Sequence, residues 1–255
     1  MNPKTFQFVE TADGSPSLRL CGPEGLGEPM HNLKGAFSET LYIYGPALRA
    51  VYSQIRQPAT MPRVMSVGLG LGYIEILAAV LYSKSSNAKS AGWSGESFEL
   101  SKELRENFAS WILDEGVPDG FRTAYNKILN LTCEHEKVDP KKILNLLRQS
   151  LRDGNWKIRQ ELSEFTKFDQ KFNCICYDAF SSRTSPALWE DIFLSTLLDS
   201  AAAPSALVAT YACVSGLKHA LSSNNFALEI RKGFAGKRNC SMASRGIFVL
   251  SQNET

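Results

Sequence analysis

The sequence predicts an α/β fold built on a mostly parallel sheet, and three observations carry that expectation. A short apolar run (Val64, Met65, Val67) meets the closely spaced glycines Gly68, Gly70 and Gly72, then restarts as an apolar, helix-like run from Tyr73 to Leu81. Lys171 to Tyr177 reads as a continuous buried strand of the parallel-sheet kind and runs directly into Asp178. Between them, residues 100 to 155 are mostly helical in pattern, longer than one crossover helix requires. A strand that breaks at glycines and restarts as a helix presents bare backbone N–H groups at the helix N-terminus. In open α/β sheets ligands sit beyond the carboxyl ends of the strands. Asp178 is therefore expected to face the same crevice as the glycine turn; the lesser alternative is an aspartate that caps a helix.

Length and composition agree with this class. The chain has 255 residues, 44% hydrophobic and 21% charged, which suits one α/β domain with a sizeable core. No run of 18 apolar residues is present, and the N-terminal stretch lacks the apolar region of a signal peptide, so a cytoplasmic protein is expected. The six cysteines are scattered, with no C-x-x-C and no histidine-rich partner set, so neither a disulfide framework nor a metal site is expected. The net charge of +2 hides an asymmetry: Ser215 to Thr255 carries six basic residues against two acids. A basic end suits a polyanionic partner or a solvated face.

Taken in order, residues 1–57 form a first unit and 58–255 a second. Phe6, Phe8 and Val9 alternate as a strand, Ser17 to Leu20 form another, and turn-rich residues surround them: an N-terminal β-hairpin extension. Ser38 is placed to cap a helix through Tyr44, and Pro46 near the first turn of a helix to about Gln57. After the glycine turn and its helix, Ala91 to Gly95 is the expected second core strand, ending in Glu96. An acid at that tip takes hydrogen bonds from ribose hydroxyls or, as the alternative, caps the following helix. Glu96 lies 24 residues past Gly72, and Glu99 is the fallback if the strand runs longer. The helical insertion is broken at 114–120 and 138–140. Lys157 to Phe165 is assigned the third strand, with Glu161 as a candidate acid. Pro186 opens a further helix, 206–211 is a buried strand, 226–231 another, 233–238 a basic glycine loop, and 247–250 the last strand.

The spacing of the turn is G-x-G-x-G, not the G-x-G-x-x-G of dinucleotide sites, and no P-loop lysine follows. It resembles the first motif of the class I S-adenosyl-L-methionine (SAM) methyltransferases; taken alone it is also compatible with a tight turn that holds nothing. Four stretches carry a narrower likeness. They are Ala12–Ser15 with Met30-His31 and Gly35-Ala36…Ser38-Glu39; the glycine turn with Glu96; Tyr177-Asp-Ala-Phe-Ser181 with Pro186 and Trp189; and Leu207–Tyr211 with Gly233-Phe-x-Gly-Lys-Arg238. With these the chain resembles the MnmC-like methyltransferase domain, related to the bacterial enzyme that makes 5-methylaminomethyl-2-thiouridine at the tRNA wobble position. Departures are Asn239-Cys240 after the basic pair, the unclear third-strand acid and the long insertion.

The resemblance implies a class I methyltransferase sheet, SAM as cofactor held by Gly68, Gly70, Gly72, Glu96 and Glu161, and the anticodon stem-loop of tRNA as partner. No flavin is expected, since the relatives' oxidoreductase domain has no counterpart here. Asp178 is the expected catalytic group, with His31 and Glu39 completing an amine pocket. Lys237 and Arg238 would meet phosphate or the anticodon base, and Phe180 and Tyr211 would stack on a flipped-out base or serve as ordinary core aromatics. Two other functions stay open: methyl transfer to a small-molecule or protein amine, and a non-catalytic SAM-fold binding module.

Overall fold

A computed structural model describes residues 5–22, 25–55, 61–85, 93–160, 162–236 and 239–248. The elements run β1 (Thr5–Glu10), β2 (Pro16–Gly22), β3 (Gly25–Pro29), α1 (Ala36–Ile43), α2 (Gly45–Gln54), β4 (Arg63–Val67), α3 (Tyr73–Lys84), β5 (Ser94–Phe98), α4 (Lys102–Leu113), α5 (Asp119–Glu136) and α6 (Pro140–Arg152). There follow β6 (Trp156–Arg159), β7 (Phe172–Tyr177), α7 (Asp191–Ala201), β8 (Ala202–Thr210), α8 (Ser215–Ser223), β9 (Ala227–Lys232) and β10 (Asn239–Arg245).

Among the described residues the central sheet has seven strands in the order β6-β5-β4-β7-β8-β10-β9. β4 pairs in parallel with β5 and β7, β5 with β6, and β7 with β8; β10 runs antiparallel between β8 and β9. From β4 the chain steps outward through β5 to β6, then crosses back to β7. The order therefore reverses between β4 and β7, where an open sheet has its ligand crevice.

Side chains alternate across a strand, and both faces of this sheet are covered. Val64, Cys174, Cys176 and Leu207 pack with Leu48, Val51, Ile74 and Leu77 of α2 and α3 on one side. Met65, Val67, Ile175 and Val208 pack with Leu194, Leu198, Leu217 and Leu221 of α7 and α8 on the other. The expected insertion is α4, α5 and α6. Ser101 caps α4 through the Leu104 N–H at 3.4 Å, and Asp139 caps α6, with Pro140 in its first turn. Left-handed Asp114 and Lys137 end α4 and α5. Glu136, at the end of α5, is clasped by Arg49 of α2 and by Lys84 of α3 at 2.6 Å, tying the insertion to the core.

A separate three-stranded sheet, β1-β2-β3, holds the N-terminus. Its β1–β2 turn does more than reverse the chain. The first N–H groups of a helix have no partner within it, and here Thr11 Oγ1 accepts from Ala36 N at 3.2 Å, Ser15 Oγ from Phe37 N at 3.0 Å, and Asp13 Oδ2 from Ser38 N at 3.0 Å. Burial alone would raise the Asp13 carboxyl, but hydrogen bonds from Ser15, Ser38 and Thr11 hold it well below the usual carboxylate range. Ser38 is thus not the expected cap: it lies inside α1, and its hydroxyl also donates to Asp13.

Other boundaries differ from expectation. The second core strand is Ser94–Phe98, three residues later than predicted, and the third ends at Arg159. Pro186–Trp189 is a single 3-10 turn ahead of α7. The last strand of the sheet is Asn239–Arg245; Ile247 and Phe248 lie past its end, and the remainder of the expected 247–250 strand is outside the described residues.

Candidate active site

One large cavity, about 1670 Å³, opens at the carboxyl ends of β4, β5 and β7. The glycine turn after β4 forms its floor. Gly68 has φ +91° and its N–H donates to Phe98 O at 2.9 Å. A Cβ at Gly68 would collide with the carbonyl oxygen of Asp178, so only glycine lets the β4 and β7 exits approach this closely. Gly68 and Gly70 line the cavity; Gly72 does not. Gly72 starts α3 in the left-handed region, and a Cβ there would run into the Phe108 ring of α4.

The acid facing the cavity at the end of β5 is Glu99, not Glu96. Glu99 Oε2 accepts from Gly70 N at 3.1 Å and Oε1 from Ser101 N at 2.8 Å. Burial raises its carboxyl despite those two backbone donors. Glu96 sits within β5, 2% exposed and away from the cavity. Its oxygens face Arg159 at 2.7 Å and Arg63 at 3.6 Å, so its partners are structural. Glu161, Lys237 and Arg238 lie outside the described residues.

Asp178 leaves β7 with its N–H donating to Val67 O at 2.8 Å, which fixes it against the end of β4. Its Oδ1 accepts from the hydroxyl of Tyr44, in the α1–α2 corner, at 2.6 Å. Burial, with the Asp178 carboxylate beside it, pushes the Tyr44 phenol well above its ordinary range, so it donates and does not ionise. The sequence carried no signal for Tyr44, which sits in an apolar stripe.

His31, Glu39, Phe180 and Tyr211 all line this cavity with Asp178. His31 Nδ1 lies 2.9 Å from Ser17 Oγ, and its ring meets Tyr73 edge-on with centroids 4.9 Å apart. Glu39 is buried and accepts from Asn32 N at 2.7 Å. Tyr211 donates to Ala179 O at 2.8 Å, and the Phe180 carbonyl accepts from Trp189 Nε1 at 2.7 Å. The carboxylates of Glu28, Glu39, Glu99 and Asp178 line the space, and Lys102 is the single lysine or arginine among the described lining residues.

These residues fit SAM. The floor is bare glycine backbone, and Glu99 offers carboxylate lone pairs beside it where a ribose diol needs an acceptor. The volume exceeds the roughly 300–1,000 Å³ of an ordinary small-ligand site, leaving room for an acceptor next to the cofactor. Among the described residues no cluster of His, Cys, Asp and Glu could hold a metal ion. No helix among them is long and apolar enough to cross a membrane.

Comparison with known proteins agrees with this geometry. Residues 145–246 match the family model of S-adenosyl-L-methionine-dependent methyltransferase. An uncharacterized protein of Methanocaldococcus jannaschii is 26% identical over 243 residues, which is 92% of this chain and 58% of that protein. The chain thus spans a little over half the length of that curated relative. The crystal structure of MnmC2 from Aquifex aeolicus superposes with a TM-score of 0.63 at 21% identity, covering 95% of this chain and 71% of the other. The chain thus shares the fold of that structure, and residues 145–246 carry the match to S-adenosyl-L-methionine-dependent methyltransferases, for which SAM is the cofactor.

Proposed function

We propose that this domain transfers a methyl group from SAM to the primary amine of 5-aminomethyl(-2-thio)uridine at the tRNA wobble position, giving the 5-methylaminomethyl form. One observation carries the reading: Asp178 enters, straight from β7, the cavity that the glycine turn opens, with Tyr44 holding one of its oxygens. The likeness to MnmC2 supports the choice of acceptor.

When bound, SAM supplies a methyl group made electrophilic by its sulfonium. The rest falls to the protein. An alkylamine is about as basic as lysine, with a pKa near 10, and arrives as an ammonium without a lone pair. The Asp178 carboxylate accepts a hydrogen bond from that ammonium and draws the nitrogen to the roughly 3–3.5 Å of a near-attack arrangement. An ordinary aspartate is a weak base, so Asp178 positions the nitrogen and passes its proton toward solvent. Tyr44 keeps the carboxylate aimed. His31 and Glu39 complete the amine pocket, and Glu99 takes the ribose hydroxyls. Phe180 and Tyr211 are the surfaces for a flipped-out base, and Lys237 and Arg238 the contacts for the anticodon stem-loop.

The acidic lining favours a second reading, methyl transfer to a small cationic amine with no nucleic acid attached. Incubation with labelled SAM and tRNA from cells unable to complete the modification, followed by nucleoside mass spectrometry, separates the two. Methylated 5-aminomethyluridine supports the tRNA reading. An unlabelled tRNA, with SAM still bound by the protein, refutes it. Affinity for tRNA should also fall steeply with salt on the first reading and not on the second.

A further inference from the structure

Glu28 stands on β3 of the N-terminal sheet, yet its carboxylate belongs to the cavity. Oε2 accepts from Ser181 Oγ and from Thr184 Oγ1, both at 2.9 Å, so the turn after Asp178 holds it in place. Both bonds fall on one oxygen. A carboxylate has about four lone-pair sites, which leaves Oε1 able to accept from a ligand. Glu28 shares the end of the cavity occupied by Asp178: burial pushes the Tyr211 phenol up, and the nearby charges of Asp178, Glu28 and Glu39 push it further.

An acceptor amine reaches the site as a cation and must be held in that form before it gives up a proton. Asp178 is committed to the nitrogen at the moment of transfer. We propose that Glu28 is a specificity-determining residue that binds the incoming acceptor as its ammonium, through a charge-assisted hydrogen bond to the carboxylate fixed by Ser181 and Thr184. The role rests on the amine-acceptor reading above. It selects primary ammonium groups over neutral hydroxyls of the same shape, and it makes the N-terminal sheet a part of the acceptor site as well as its cover.

The test is calorimetric titration of the protein, saturated with S-adenosylhomocysteine, with 5-aminomethyluridine and with its neutral isostere 5-hydroxymethyluridine. Glu28→Gln keeps the shape and an accepting oxygen for the two hydroxyls while removing the charge. The wild type is expected to prefer the amine by about tenfold or more, and Glu28→Gln to lose most of that preference. Affinity for S-adenosylhomocysteine and the melting temperature should be unchanged. A preference retained in full by Glu28→Gln overturns this role and leaves the amine reading standing. A parallel loss of S-adenosylhomocysteine affinity overturns it in favour of a structural role. No preference in the wild type overturns the amine reading and this role together.

Discussion

Glu75 lies in the first turn of α3, directly beneath the glycine turn, and is 1% exposed. Its Oε1 accepts from Ser66 of β4 and from Ser97 of β5 (2.8 Å), while Oε2 is buried without a partner among the described residues. Burial pushes its carboxyl from 4.5 to about 7, against the opposing pull of the two serine hydroxyls. A carboxyl raised in the folded state stays protonated between those two values while the unfolded chain has already released its proton. Stability therefore falls as pH rises from about 4.5 to about 7 and is level above. At about 1.36 kcal/mol per pH unit the interval corresponds to about 3 kcal/mol. Glu75→Gln removes the ionisation but keeps an oxygen for both serines. Urea unfolding of both proteins at pH 5 and pH 8 reads the effect directly. The stability of Glu75→Gln relative to wild type should rise by about 2.5 kcal/mol between the two pH values, the rest of the interval lying below pH 5. A difference that does not change with pH would refute the reasoning, because it would mean that Glu75 ionises in the folded protein as easily as in water.

Other perturbations have equally definite outcomes. Asp178→Asn should lower methyl transfer by about two orders of magnitude or more, as for loss of a positioning acid-base group, with SAM affinity nearly unchanged by equilibrium dialysis. Glu99→Gln should weaken SAM binding about tenfold, whereas Glu96→Gln, which unpairs Arg63 and Arg159, should lower thermal stability and leave SAM affinity in place. Gly68→Ala should cost both, since its backbone is left-handed and its Cβ has no room beside Asp178. Burial alone would raise the Glu136 carboxyl, but bonds from Arg49 and Lys84 hold it below its usual value. Its contribution is present above the unfolded value of about 4.5 and is lost as pH falls through the lower folded one. Glu136→Ala should thus lose roughly 1–3 kcal/mol at neutral pH, measurable by denaturant titration, and less in acid.

The sequence made the centre of the site legible because its strands announce themselves. β4 and β7 are short apolar runs buried on both faces, and each ends at a chemical landmark, the glycines and Asp178. β5 carries no such pattern. In Ser-Gly-Glu-Ser-Phe all five residues are buried, yet only Phe98 is apolar. The buried Glu96 is made tolerable by Arg159, 63 positions away, which no local pattern reveals. Local pattern therefore favours Glu96 over Glu99, the fallback, as the tip acid, whereas the strand runs on to Phe98 and brings Glu99 to the cavity. β10 misled for the same reason: Ser241, Met242, Ala243 and Ser244 form a strand shielded between β8 and β9, while the more apolar run at 247–250 drew the assignment. Capping at α1 failed differently. Ser38 satisfies the local rule for a cap, but the donors are taken by Thr11, Asp13 and Ser15 from a hairpin turn far upstream. Thr11–Ser15 and the start of α1 therefore form one unit, the first capping the second. Tyr44 and Glu28 acquire their roles only through tertiary contact, across 134 and 153 positions.

The whole account depends on one cavity holding the cofactor at the glycine turn and the acceptor at Asp178. A crystal structure with S-adenosylhomocysteine tests this most directly. The ribose hydroxyls should lie on Glu99 and the backbone of Gly68 and Gly70, with the sulfur turned toward the space beside Asp178 and Tyr44. A ribose held elsewhere, or a sulfur shielded from Asp178 by protein, would contradict it.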